Sequence, residues 1–486
     1  MSSATSSVDF VVVGGGLAGL VAASRAAEAG LFVTLLEAGR DERYAANSRY
    51  AGGVLHLAFL DVSAGTEALR RAIVEASAGL RDEALADALA VDGPRVVEWL
   101  SQHGAEFGSG GAYPFMGHML KPYSLRETGF QNHWRGKGGD LLLQRLEASL
   151  LAAGGRLWRG ARAVALRMDD GRCTGVWVQA DDGEAGEDGA PRMIEARAVL
   201  LADGGFSGNA EMVRQFISRR PEQLCKRGAG TGKGDGIRMA QAVGAQLIGM
   251  DRFYGHVQHA QALADESLWP YPVLDIAASS GIVVDGAGRR FADEGLGGVA
   301  VANAIARLEE PLSSFVIIDE TIWESAGRAF LLPPNPALEQ LGATLHRAPD
   351  LVSLAGRIGM NEAVLSDTVS QYNAALAEGR LASLSPPRTV KPATLATGAA
   401  PLTGPGFLAI PLCAGITYTM GGIAIDADGA ALDTEGRPIA GLYAAGATTG
   451  GIEGGANSGY VGGLMKAAVF GLRSAEAVAR ALPAAT

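Results

Sequence analysis

The segment Gly14-Gly15-Gly16-Leu17-Ala18-Gly19 constrains the fold more than any other stretch. It follows the apolar run Phe10 to Val13, which reads as a buried parallel strand. It opens an alanine-rich helix that runs to about Ala29 and stops at Gly30. A second apolar strand, Leu31 to Leu36, ends on Glu37. This is a βαβ unit with a dinucleotide fingerprint. Gly14 permits the tight turn, Gly16 lets backbone approach a pyrophosphate, and Gly19 lets helix pack on strand. The helix start at Leu17 and Ala18 offers N–H groups and a partial positive charge to phosphate. Glu37, with Ala38 after it, is placed to accept hydrogen bonds from an adenosine ribose. The motif alone does not separate FAD from NAD.

The rest of the chain excludes several partners. A net charge of −11, from 41 basic and 52 acidic residues, with no basic run, disfavours nucleic acid and anionic membrane. The opening MSSATSSVDF lacks the features of a signal peptide, and no eighteen-residue apolar run suggests a membrane span. Three scattered cysteines give no CxxC, which leaves no support for a metal or haem site and fits a cytoplasmic protein. The 68 glycines gather in clusters at strand ends, as backbone close to a ligand requires.

Beyond Glu37 the chain reads as loop at 108–139, then a helix from Asp140 to Leu151. Short strands follow at Ala163–Met168, Gly175–Gln179 and Ala198–Ala202, with an acidic hairpin tip at 181–190. From about residue 250 aromatics and histidines gather in MDRFYGHVQHA and WPYPVLD. A helix at Ser366–Ala377 closes that part, and a final helix spans 462–480.

The polar loop Asn47-Ser48-Arg49-Tyr50-Ala51-Gly52-Gly53, one step after the acid, points to the flavin. Here the chain resembles the fumarate reductase/succinate dehydrogenase flavoprotein superfamily. That family includes 3-ketosteroid dehydrogenases, 4-oxocyclohexanecarboxylate desaturase and tricarballylate dehydrogenase. Five further blocks carry the likeness in order: Ala202-Asp203-Gly204-Gly205-Phe206, Gly232-Lys233-Gly234-Asp235-Gly236, Arg290-Phe291-Ala292-Asp293-Glu294, Tyr418-Thr419-Met420-Gly421-Gly422 and Gly441-Leu442-Tyr443-Ala444-Ala445-Gly446. The resemblance implies an α/β protein. A Rossmann-like FAD-binding domain, residues 1–250 and 386–486, carries an inserted α+β capping domain, 251–385. It implies FAD contacts at Asn47, Ser48, Gly52, Gly53, Ala163, Val164, Ala202, Asp203, Gly204, Asp235, Gly446, Ser458 and Val461. Membrane-bound members attach FAD through a histidine before this loop. None stands between Gly39 and Gly53, so the FAD is expected to be non-covalent.

The superfamily moves a hydride between flavin N5 and a carbon β to a carbonyl or carboxylate, while a side chain handles the α proton. Its acid/base position, an Arg or a Tyr four residues after the R-F-x-N-E glutamate, is Gly298 here. The tail arginine of fumarate reductases falls in Ala456-Asn457-Ser458-Gly459-Tyr460, and the ketosteroid enzymes' carbonyl tyrosine falls near Leu408. Catalysis therefore does not transfer residue by residue. Tyr418, before Thr419-Met420-Gly421-Gly422, is the expected proton base or carbonyl ligand, with the N–H groups of Gly421 and Gly422 facing an enolate oxygen. Tyr113, Tyr123, Tyr254, His256 and Tyr460 are the other candidates. His256 and His259 also read as interior residues of the cap.

The expected function is desaturation of a C–C bond next to the carbonyl of a cyclic ketone, either a ketosteroid or a smaller ring such as 4-oxocyclohexanecarboxylate. Reduced flavin would pass electrons to oxygen, a quinone or a separate carrier. The alternative is a fumarate-reductase-like ene-reductase or a tricarballylate-type dehydrogenase, with Arg126, Arg135 or Arg252 binding a carboxylate. A non-catalytic FAD carrier is disfavoured by the aromatic cap. Acid precipitation should release all the yellow colour into the supernatant, and colour kept in the pellet would show a covalent link. Glu37→Arg should abolish or greatly weaken FAD retention on gel filtration.

Overall fold

The computed structural model describes residues 8–77, 82–111, 113–124, 134–180, 190–268, 273–328, 337–390 and 398–482. In chain order the main strands are β1 (Val8–Val13), β2 (Val33–Glu37), β3 (Arg156–Arg159), β4 (Arg192–Leu201), β5 (Phe253–His259), β6 (Phe315–Asp319), β7 (Phe407–Thr419) and β8 (Pro438–Ala444). The main helices are α1 (Leu17–Glu28), α2 (Gly138–Ala152), α3 (Asp275–Ser280), α4 (Gly298–Arg307) and α5 (Gly463–Ala481).

The βαβ unit forms as the sequence predicts. β1 lies between β2 and β4, parallel to both, and β3 and β8 extend the sheet on its two sides. Helices cover it, which is why Val11, Val12 and Leu35 are fully buried and the strands read as unbroken apolar runs. A Cβ on Gly19 would stand 1.9 Å from the Gly14 carbonyl oxygen, so only glycine lets α1 start this close to the turn. The hairpin strands run longer than predicted, Ala161–Asp169 and Arg172–Ala180. Residues 181–189 of the acidic tip lie outside the described residues, as do 269–272 of the WPYPVLD stretch.

The second sheet is built around β7. It pairs antiparallel with β5, β6 and His346–Ala348, and parallel with Cys225–Lys226. Its hydrophobic core runs from Phe206 to Ile416. A cap drawn at 251–385 therefore leaves out two strands that this sheet contains. The reason is physical: β7 is an apolar run after a Pro-Pro break, and such a run does not announce which sheet it joins. Pairing with β5 and β6 decides it.

The flavin loop is tied down by buried charge. Arg49 is fully buried, donates to Asp140 and donates to Glu147 at 2.8 Å, while Arg159 reaches Glu147 at 2.5 Å. This pins the loop after Asn47 onto α2. Arg49→Met should cost about 3–5 kcal/mol, because it strands buried carboxylates. Urea denaturation followed by far-UV circular dichroism measures it, and a loss under about 1 kcal/mol contradicts this reading.

Candidate active site

The cofactor cradle is built from backbone. α1 has no side-chain cap from Gly16, and Ser48 Oγ accepts the Leu17 N–H at 3.1 Å. Glu37 accepts from Gly15 N–H at 2.8 Å and Gly39 N–H at 2.6 Å, and each carboxylate oxygen keeps a further lone pair for a ribose hydroxyl. Burial raises the Glu37 carboxyl, and the two N–H groups oppose it. Asn47 Oδ1 accepts from Ala229 N–H at 2.8 Å and its Nδ2 donates to Thr417 at 3.3 Å, which joins the loop to the second sheet. Thr448 Oγ accepts from Gly204 N–H at 3.0 Å. Gly446 and Ser458 both have left-handed backbone, φ 75° and 51°. Ala163 is buried and Val164 exposed on the neighbouring strand. Turn, helix start and acid fit an ADP moiety held by backbone. Asp235 faces elsewhere, to Arg162 and Arg238. Asp203 instead accepts the Gly236 N–H at 2.8 Å, and its buried Oδ1 has no partner among the described residues.

A cluster of aromatic rings gathers around Tyr460. Tyr254 stacks on Tyr460 at 3.8 Å between centroids and lies 5.4 Å from Tyr418. His56 contacts Tyr460, Phe59 and Phe115, and Tyr113 lies 5.6 Å from Phe115. Ala58 and Phe59 both take positive φ, 47° and 60°, an unusual conformation for residues with side chains. The turn is held by the Ala58 N–H on the Val461 carbonyl at 2.6 Å. Burial lowers His56 to about 4, which keeps the ring neutral.

Tyr418 does not stand as a base. Its hydroxyl donates to both oxygens of Glu453, at 2.9 and 2.8 Å, and burial followed by the Glu453 charge pushes its pKa far up. Burial alone would raise Glu453, but the Lys466 ammonium at 2.8 Å and the hydrogen bonds from Gly462 N–H and Tyr418 together outweigh it and hold the carboxyl below its usual range. The N–H groups of Val461 and Gly462 add bonds of 3.1 and 3.0 Å. Glu453 and Lys466 escaped the sequence reading. Their only signal was an acid inside a glycine loop and a lysine on an apolar helix.

Gly421 and Gly422 are close-packing positions: a Cβ would meet Gly249 O at 2.2 Å and Thr448 O at 2.1 Å. This packing favours a close-approach role over the expected oxyanion one. Gly298 has the same character. A Cβ there would stand 2.3 Å from both carboxylate oxygens of Asp275. Asp275 accepts from His256 Nδ1 at 2.6 Å, and His256 Nε2 lies 3.1 Å from the Tyr254 hydroxyl. Asp275 is a third residue the sequence did not single out. His259 is interior, bonded to Thr344 and Gln261. Tyr123 donates to Ser109 at the surface. Leu408 is fully buried in β7.

Of the candidate arginines, Arg126 lies outside the described residues, and Arg135 is exposed over Trp134. Arg252 donates to Gly455 O at 3.0 Å and pairs with Asp251. Arg227, not foreseen, is buried, donates to Thr417 Oγ at 2.9 Å and packs on Gly415. The Arg290-Phe291-Ala292-Asp293-Glu294 block is structural. Arg290 and Arg388 flank buried Glu294, and Asp293 holds Thr389. No group of three or more His, Cys, Asp or Glu side chains among the described residues forms a metal site.

Comparison with known proteins fixes the class. Residues 9–464 match the FAD binding domain family, and the chain belongs to it. It is an FAD-dependent oxidoreductase. It is 26% identical to a fumarate reductase (cytochrome) of Shewanella frigidimarina, over 92% of this chain and 73% of that one. It is also 26% identical to 4-oxocyclohexanecarboxylate 2-dehydrogenase of Sinomonas cyclohexanicum, over 91% and 88%. The 3-ketosteroid Δ1-dehydrogenase of Sterolibacterium denitrificans shares the fold, with TM-score 0.71, 22% identity and coverage of 98% and 100%. Among the described residues no helix is long and apolar enough to cross a membrane.

Burial pushes Asp203 up to about 7 from an unfolded value of 3.8. A carboxyl raised on folding adds stability at low pH and withdraws it as pH climbs through the folded value. Flavin-free protein should therefore lose urea stability between about pH 4 and pH 7, and level off above that, relative to Asp203→Asn. Parallel pH profiles for parent and variant would contradict the assignment.

Proposed function

We propose that this flavoprotein desaturates a cyclic ketone, introducing a C=C bond α,β to the carbonyl. The supporting observation is the aromatic cluster. It brings together the rings of His56, Phe59, Phe115, Tyr254 and Tyr460, and its polar groups are phenols and neutral imidazoles. Such a lining suits a flat, uncharged ring bearing an oxygen. Glu453 and Lys466 neutralise one another, so neither presents net charge to a ligand. FAD supplies the two-electron acceptor, taking a hydride from the β carbon. The chain's own residues hold the ring, exclude water and move the α proton. The similarity to 4-oxocyclohexanecarboxylate 2-dehydrogenase supports a ring ketone of that size, and the fold shared with a ketosteroid dehydrogenase supports a larger one.

One observation favours a second reading. Buried Arg227 lies near His256 and Thr417, a cation that suits a substrate carboxylate. A keto acid satisfies both readings. A carboxylate-bearing alkene, reduced rather than formed, satisfies the second alone. Mixing oxidised protein with 4-oxocyclohexanecarboxylate without oxygen should bleach the flavin band. If no cyclic ketone bleaches it while fumarate reoxidises the photoreduced protein, the ene-reductase reading replaces this one.

A further inference from the structure

Tyr254 and His256 are two residues apart on β5, so their side chains share one face. Asp275, the buried first residue of α3, accepts the Val257 N–H at 2.8 Å on one oxygen and His256 Nδ1 at 2.6 Å on the other. A carboxylate only accepts, so the hydrogen on Nδ1 belongs to His256. A neutral ring then has Nε2 as an acceptor, and the Tyr254 hydroxyl at 3.1 Å donates to it. Three groups thus stand in a directed line, from the aromatic cluster to the interior. The helix α4 leaves room for this line only because residue 298 is glycine: a side chain there would displace the Asp275 carboxylate.

We propose that Tyr254 is the catalytic residue that takes the α proton, with His256 and Asp275 positioning it and receiving its own proton. This deepens the desaturase reading and rests on it. The balance is as follows. The α C–H bond breaks, its electron pair stays on the substrate as enolate, and its proton goes to Tyr254 Oη. The Tyr254 proton moves to His256 Nε2, giving an imidazolium beside Asp275. The β C–H pair leaves as hydride to the flavin and the C=C bond closes. The substrate loses two electrons, the flavin gains two, and one proton rests on His256. Burial lowers His256, Asp275 raises it, and Arg227 lowers it further, so the resting ring is neutral and able to accept. Tyr460 and Tyr418 are further titratable neighbours of Tyr254.

Two measurements test it. On holoprotein labelled with [15N]histidine, the resonance lost in His256→Gln should show a neutral ring protonated at Nδ1 near pH 7. A ring protonated at Nε2, or an imidazolium, overturns the relay whatever the substrate. In rapid kinetics, 4-oxocyclohexanecarboxylate probes flavin bleaching and fumarate probes reoxidation of photoreduced protein. With whichever probe the parent reacts, Tyr254→Phe should slow the step about 10²–10⁴-fold at unchanged FAD content, and His256→Gln should slow it and remove the acid limb of its pH profile. A Tyr254→Phe rate within about threefold of the parent overturns the proposal, as does loss of FAD from both variants. A parent that reacts with fumarate alone ends the desaturase reading, and the same variant rates on fumarate then decide the relay. If neither probe reacts, the histidine tautomer decides.

Discussion

Glu453 is a carboxylate out of contact with water, and the geometry of the site hangs on how its charge is met. Burying such an ion costs several kcal/mol unless partners replace the lost hydration. Here the partners come from three segments: the Tyr418 hydroxyl at the end of β7, the Lys466 ammonium on α5, and the N–H groups of Val461 and Gly462 in the tail loop. Satisfying one charge therefore fixes the end of the second sheet, the last helix and the glycine loop against one another. The first two bring the second sheet and the last helix together. The loop carries Tyr460 and, through Val461, holds the strained turn at Ala58 and Phe59. Remove the carboxylate and the pocket walls lose their common anchor.

The βαβ unit was legible because its information is local. Glycine spacing, strand length and the acid at Glu37 all fall within about thirty residues, and sterics at Gly14 and Gly19 allow few other readings. The cap boundary was not legible, because the pairing of β7 with Cys225–Lys226 joins segments nearly two hundred residues apart in sequence. Tyr418 shows the same limit at the site. Its motif position marked a residue near the chemistry, but the group that decides its protonation, Glu453, is thirty-five residues on. Asp275 was missed for a related reason: alone it is an acid at a helix start, the commonest place for one. Gly298, read only as a missing base, acquires its meaning once Asp275 is seen to fill the space beside it.

The two faces of the second sheet divide the work. Phe253 and Val257, one residue to either side of the Tyr254–His256 pair, turn into the core that also holds Ile416. Burial of those side chains sets the register of β5 against β7, and a slip of one residue would send Tyr254 and His256 into that core. Between Tyr254 and Gly255 the register shifts, so that Tyr254 stands opposite Tyr418 and His256 opposite Gly415. The bulge leaves the two tyrosine rings 5.4 Å apart and the glycine under Arg227. The apolar pattern of the strand thus places its polar residues.

The charge inventory of the pocket then limits where a proton can go. Tyr254 lies between Tyr460 and Tyr418, and Tyr418 already gives its hydrogen to an anion. A phenolate left on Tyr254 would sit in a weakly polarisable setting near that anion, where like charges repel strongly. A cation is better placed on His256, since Asp275 lies in direct contact and also accepts a backbone N–H. Moving a proton inward from Tyr254 to His256 leaves the phenol neutral once it has taken the substrate's proton, and sets the new positive charge against a fixed carboxylate. The pocket lining stays uncharged throughout. An aromatic lining that binds a neutral ring is compatible with acid–base chemistry on these terms, because the charge is carried one layer behind the wall.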